Sequence, residues 1–121
     1  MSVGGGVGGS CHCGAVTIRL AERPSQLADC NCSLCRKLGW RLVYGSSVDM
    51  TIDGPLERYV RHDMDEPTLA VMRCATCGIA THWEPLGEPP HARIGVNANL
   101  LEDGALDGAS MRTLDGRSWE R

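Results

Sequence analysis

Phenylalanine is absent from this sequence, and its aromatic residues are Trp40, Trp83, Trp119, Tyr44 and Tyr59. Aromatic rings carry much of the buried area in most cores, so a chain of 121 residues, long enough for one domain, needs some other reinforcement. Lysine is nearly absent as well: Lys37 is the only one among 12 basic residues. With a formal charge of −3 and a pI near 5.7, the chain lacks the positive excess that binds phosphate backbones, which argues against nucleic acid as a partner. No stretch approaches the roughly 20 apolar residues of a membrane-spanning helix. The glycine-rich start has neither the cationic segment nor the apolar run of a secretory signal. These absences predict a soluble, cytoplasmic protein with no membrane partner, and they leave the oligomeric state open.

Turn-formers are plentiful instead. Fifteen glycines and six prolines punctuate the chain, and no long segment carries the 3.6-residue period of an amphipathic helix. Residues 1–9 read as a flexible, glycine-rich lead-in and 10–121 as one domain. Residues 15–20 alternate apolar and polar, which predicts a half-buried strand with Val16, Ile18 and Leu20 facing inward. Ser33 is placed to cap a short helical turn through Arg36 and Lys37, closed at Gly39. Further strands are expected at 40–44, at 48–52 and 56–61 around the turn Asp53-Gly54-Pro55, and at 68–73, 79–84, 91–97 and 112–114. Residues 85–90 read as a turn-rich break. The expected fold class is mainly β, built of small antiparallel sheets in an open or sandwich-like arrangement.

The seven cysteines fall into three groups: Cys11 with Cys13; Cys30, Cys32 and Cys35; Cys74 with Cys77. In a reducing compartment such grouping argues for metal rather than disulfides, and an odd count leaves one thiol over in any disulfide framework. Residues i and i+2 on a strand project to one side, so Cys11 and Cys13 can converge. Cys74 and Cys77 reach an ion through a tight turn. Gly14 and Gly78 follow the second cysteine of each pair, where a positive φ is expected. Zinc takes four thiolates in a tetrahedron at about 2.3 Å, and the two pairs supply four. Such a site ties an early strand to a late one and adds folding energy to a core short of aromatics.

Cys30, Cys32 and Cys35 remain, and three protein ligands with an open position is the pattern of a reactive zinc site. Two other states are compatible with the same residues. One is closure by a histidine (His12, His62, His82 or His91, none at ligand spacing from the trio), and the other is thiols without metal. Three thiolates leave a zinc site with a net charge of −1, which weakens the ion as a Lewis acid and disfavours a hydrolytic hydroxide. A soft thiolate is the natural fourth ligand. Zinc keeps such a thiol deprotonated at neutral pH, where a free thiol of pKa about 8.5 is mostly protonated. The cofactor expectation is therefore two Zn²⁺ per chain, the second more labile, with a small-molecule thiol as partner.

Three stretches carry a resemblance: Gly9-Ser10-Cys11-His12-Cys13-Gly14-Ala15-Val16, Cys30-Asn31-Cys32-Ser33-Leu34-Cys35-Arg36-Lys37, and Arg73-Cys74-Ala75-Thr76-Cys77-Gly78. With weaker matches at Gly95-Val96-Asn97 and Asp115-Gly116-Arg117-Ser118-Trp119, the sequence resembles the glutathione-dependent formaldehyde-activating enzyme family, which is grouped with centromere protein V. The resemblance implies an Mss4-like fold tied by a structural zinc on Cys11, Cys13, Cys74 and Cys77. It implies a catalytic zinc on Cys30, Cys32 and Cys35. The activity it implies is that of a carbon–sulfur lyase joining glutathione to formaldehyde as S-hydroxymethylglutathione.

Other residues carry two readings each. Arg36, Lys37 and Arg41 form a basic cluster beside the trio; Arg36 and Lys37 suit ligand carboxylates or a solvated surface. Trp40 suits a pocket wall or the core. His82 alternates with Trp83, so one of the two is expected to face solvent. Asp63, Asp65 and Glu66 read as a solvated acidic loop. Beside the lyase stand two alternatives, a non-catalytic zinc protein that binds glutathione or another thiol, and a zinc-stabilised module for protein contacts. A thioredoxin-like role for Cys74 and Cys77 does not fit, because no helix pattern follows the pair.

Overall fold

A computed structural model of the protein describes residues 6–86 and 93–119. Residues 1–5 of the expected lead-in, the end of the break at 87–90, and the expected strand start at 91–92 lie outside the described residues. The remainder folds into two sheets. Strands β1 (Val7–Ser10), β2 (Thr17–Leu20) and β5 (Met50–Asp53) form a three-stranded antiparallel sheet in the order β1-β2-β5. The second sheet takes β3 (Gln26–Cys30), β4 (Leu42–Ser46), β6 (Leu56–Val60), β7 (Leu69–Cys74), β8 (Ala80–Pro85), β9 (Arg93–Asn97) and β10 (Ser110–Leu114). Its order is β10-β3-β4-β9-β8-β7-β6. A single short α-helix among the described residues, α1 (Ser33–Leu38), links β3 to β4. The protein is mainly β, as expected.

Alternation sets what each face buries. Val16, Ile18 and Leu20 are 0–2% exposed and point into the space between the sheets. Ile18 and Leu20 meet Leu27, Val43, Ile94 and Val96 of the large sheet, while Val16 packs with Cys11 and Cys74. On the opposite face of that sheet, Ala28, Leu42 and Val71 pack with Trp40 and the cysteines of α1, and Tyr44, Trp83 and Leu114 lean against them. The large sheet is thus covered on both sides. This overturns the expectation that His82 or Trp83 faces solvent: His82 is 1% exposed and Trp83 is half-buried.

Four further expectations change. Residues 7–9 are not lead-in but strand, since β1 pairs antiparallel with β2 from Val7↔Leu20 to Ser10↔Thr17. Its glycines hide the apolar alternation, yet Gly9 is needed: a Cβ there would overlap the Leu100 carbonyl and stand 2.7 Å from Leu101 Cα. The expected strands around Gly54 do not form a hairpin; β5 joins β2 while β6 joins β7. The sheets are not all antiparallel, because β10 pairs in parallel with β3. Finally, the helix cap is Cys32 rather than Ser33, the Cys32 sulfur accepting from the Cys35 N–H at 3.4 Å. Gly39 closes the helix at φ 69°.

Gly95 shapes the aromatic wall of the large sheet. It stands level with Tyr44 on one side and Trp83 on the other, and the two rings meet edge-to-face above it at 5.9 Å. A Cβ at Gly95 would lie 2.8 Å from two carbons of the Trp83 indole. Gly95→Ala is therefore expected to destabilise the fold by about 1–3 kcal/mol through overpacking. Thermal melts and a change in tryptophan emission check it; an unchanged melt would show that the ring moves freely.

His82 is held neutral. Its Nε2 lies 3.0 Å from a Glu84 carboxylate oxygen and its Nδ1 2.8 Å from the Thr81 hydroxyl. Burial nevertheless outweighs the pull of Glu84 and lowers its pKa below the ordinary value. The unfolded chain then binds the proton more readily than the folded one. This contribution to stability is present above the unfolded pKa of about 6.5 and is lost as pH falls below it. An NMR titration of the His82 ring is expected to show a midpoint below that of a model histidine, and a midpoint at or above 6.5 would contradict it.

Candidate metal centres and the adjoining cleft

The first cysteine cluster joins the ends of two strands from different sheets. Cys11 follows β1 directly, and the chain turns at once, with the Gly14 N–H donating to the Cys11 carbonyl at 3.1 Å. Cys11 and Cys13 therefore converge through a turn and not along a strand as expected. Cys74 ends β7, and its carbonyl accepts from the Gly78 N–H at 2.9 Å. Gly14 and Gly78 adopt φ of 85° and 82°, the left-handed region in which a side chain is disfavoured.

The four sulfurs lie within 4.8 Å of one another. Cys13 Sγ stands 3.7 Å from both Cys11 Sγ and Cys74 Sγ. Four sulfurs at about 2.3 Å from a tetrahedral zinc are about 3.8 Å apart, so the donor set fits that ion without rearrangement. Backbone N–H groups of Val16, Ala15, Thr76 and Cys77 aim at these sulfurs at 3.3–3.4 Å, which favours the thiolate form. Burial opposes ionisation of Cys11. The Val16 N–H and the neighbouring thiols prevail and pull it down to about 6. Cys13 receives an N–H from Ala15, but burial and proximity to the other sulfurs push it up to about 11. The cluster thus shares protons unevenly, and a bound cation would displace them.

The second cluster sits on the other face of the large sheet. Cys30 ends β3, Cys32 caps α1 and Cys35 lies within it; all three are buried and mutually within 4.8 Å. Cys32 is drawn down to about 5, chiefly by the Cys35 thiol and the Cys35 N–H, while Cys35 and Cys30 are pushed up. No histidine or carboxylate among the described residues joins this trio. His62 instead packs edge-on against Tyr59, and His91 lies outside the described residues.

The trio lines a cleft of about 340 Å³. Tyr44 and Trp83 form one wall, Met64, Leu69 and Leu114 add apolar surface, and Arg61, Arg93 and Arg112 bring guanidinium groups. Gly116 closes in from the C-terminal side, where a Cβ would come within 2.5 Å of Cys30 Sγ. Burial, then the nearby cysteines, push the Tyr44 phenol up to about 12, so it stays protonated. Arg61 is buried and forks onto Asp63 at 2.7 and 2.8 Å. Ser33 donates to the same carboxylate at 3.3 Å, which ties the loop after β6 to the start of α1. That loop is exposed, yet Asp63 within it is engaged. Arg36 and Lys37 are exposed on α1 and Trp40 is core, 4% exposed; none of the three lines the cleft.

The lining groups Arg93, Arg112, Tyr44 and Trp83 carry no local signal in the sequence. Each occupies an ordinary strand position, and only the strand order brings them together.

Among known proteins, the sequence model of a family described as glutathione-dependent formaldehyde-activating enzyme matches residues 6–113. A Rhodobacter sphaeroides protein of known crystal structure is similar at 29% identity with a TM-score of 0.65. The match covers 87% of this chain and 99% of that one.

Proposed function

The chain belongs to the glutathione-dependent formaldehyde-activating enzyme family, and from that premise we propose that it is a zinc-dependent carbon–sulfur lyase joining a glutathione thiol to formaldehyde. The observation that carries this reading is the trio of buried cysteines set in a cleft whose lining holds no histidine, aspartate or glutamate. Cys30, Cys32 and Cys35 would hold one zinc with a position left over; Cys11, Cys13, Cys74 and Cys77 would hold a structural one. Bound at the trio, zinc supplies a positive centre that keeps an incoming thiol deprotonated near neutral pH.

The chain's own groups do the rest. Tyr44 and Trp83 shield the reacting sulfur from water. The sulfur attacks the aldehyde carbon; the C–S bond forms as the carbonyl π pair moves to oxygen, and that oxygen takes a proton. The Tyr44 hydroxyl, protonated throughout the neutral range, is a lining group suited to donate there. Seven thiols fit a reducing compartment, so we place the protein in the cytoplasm. No helix among the described residues is long and apolar enough to cross a membrane.

The test is the rate at which S-hydroxymethylglutathione forms from glutathione and formaldehyde, followed by NMR exchange with and without the zinc-loaded protein. Acceleration above the uncatalysed rate upholds the lyase. No acceleration, together with a glutathione-induced shift in the spectrum of the cobalt-substituted protein, would make it a thiol-binding module instead.

A further inference from the structure

We infer that Arg93 and Arg112 select the ligand of this cleft by each gripping one carboxylate, so that the thiol admitted carries two separate acids. The inference rests on the thiol reading above. Among the three arginines of the cleft, Arg61 has its charge met by Asp63. Neither Arg93 nor Arg112 has a carboxylate partner among the described residues, and no acidic side chain lines the cleft. In a chain of net charge −3, two unneutralised guanidinium groups around an apolar hollow mark a place where an anion is stabilised. Arg93 is also oriented: its guanidinium stacks 4.5 Å over the Tyr44 ring, which leaves its N–H edge to fork onto a carboxylate.

The strand order sets the spacing. β10 and β9 are separated by β3 and β4, which places the two arginines three strand spacings apart, about 14 Å. Through the register, Arg112 is level with Ala28 and Leu42, whereas Arg93 is level with Ser46. That adds four residues along the strands, about 13 Å. Both arginines line the cleft together with the cysteine trio, and Cys30 is level with Leu114, two residues beyond Arg112 on the side away from Arg93. A ligand with two separate carboxylates can engage both arginines from these two positions.

The test uses zinc-loaded protein and S-methylglutathione, which keeps both carboxylates and lacks the thiol, titrated calorimetrically beside its diethyl ester. Arg93→Gln and Arg112→Gln are each expected to weaken S-methylglutathione about tenfold. Arg112→Lys, which keeps the charge without the fork, should fall between. The diester should bind the wild type at least about tenfold more weakly and ignore the substitutions. Both arginines are exposed, so melts are expected to match the wild type. Equal binding by the variants, equal binding of the ester, or no binding of S-methylglutathione by the wild type would overturn the inference. Glutathione added to cobalt-substituted protein keeps the two ideas apart. If no sulfur-to-cobalt charge-transfer band grows while S-methylglutathione still binds in an arginine-dependent way, the thiol reading falls and the arginine assignment stands.

Discussion

Cys74→Ser is expected to abolish folding at ordinary temperatures. Cys74 is fully buried, 0% exposed, and its sulfur accepts from the Thr76 and Cys77 N–H groups while standing 3.7 Å from Cys13 Sγ. It belongs to the one cysteine cluster among the described residues placed to tie the two sheets through a metal ion. Structural zinc contributes about 10–16 kcal/mol in small zinc domains, as much as the about 5–15 kcal/mol of net stability of a whole domain. Losing even about 5 kcal/mol would lower the melting temperature by about 20 °C in a domain of this size. The check is circular dichroism melting with zinc measured per chain. A variant that melts within a few degrees of the wild type would show that the hydrophobic contacts of Ile18, Leu20 and Val96 suffice alone.

Cys32→Ser is expected to do the opposite: spare the fold and remove the chemistry. Serine is itself a good helix cap, so the bond from the Cys35 N–H survives and α1 persists. The thiolate is lost. Zinc per chain should fall from about two to about one, which is also the expected result of mild chelation, because three ligands hold less tightly than four. Adduct formation should drop at least about a hundredfold, the scale on which a single stabilising group acts, with the melt nearly unchanged. Wild-type turnover by this variant would remove the trio from the reaction. Unfolding would make it a second structural site.

The sequence disclosed the cysteine clusters of the site more fully than its walls. Cysteine grouping and the glycines at 14 and 78 are local signals, because knuckles are made by residues a few positions apart. The inward set Val16, Ile18 and Leu20 was equally readable, since period-2 burial is a local property too. β1 was hidden because its two glycines leave nothing to alternate. β3 was masked by the cysteine that ends it. The cleft was illegible for a different reason: Arg93 and Arg112 look like ordinary strand cations until β9 and β10 are known to flank the β3-β4 pair. Arg36 and Lys37, adjacent to the trio in sequence, sit on α1 facing solvent. Nearness along the chain misleads on a helix, whose successive side chains point in different directions.

The parallel pairing of β10 with β3 has a consequence for biosynthesis. Asn31 donates to Asp115 across 84 residues of chain, and β10 with the segment after it brings Arg112, Leu114 and Gly116 to the cleft. On the ribosome, Cys30, Cys32 and Cys35 therefore emerge long before the wall that shelters them. At about 5–20 residues per second, the nascent trio spends several seconds open to cellular thiols, aldehydes and metal ions. For a trio that takes up zinc, early capture of a cation would protect it during that interval, and metal supply in the growing cell, not only affinity in the finished protein, would then set how much of the product is loaded.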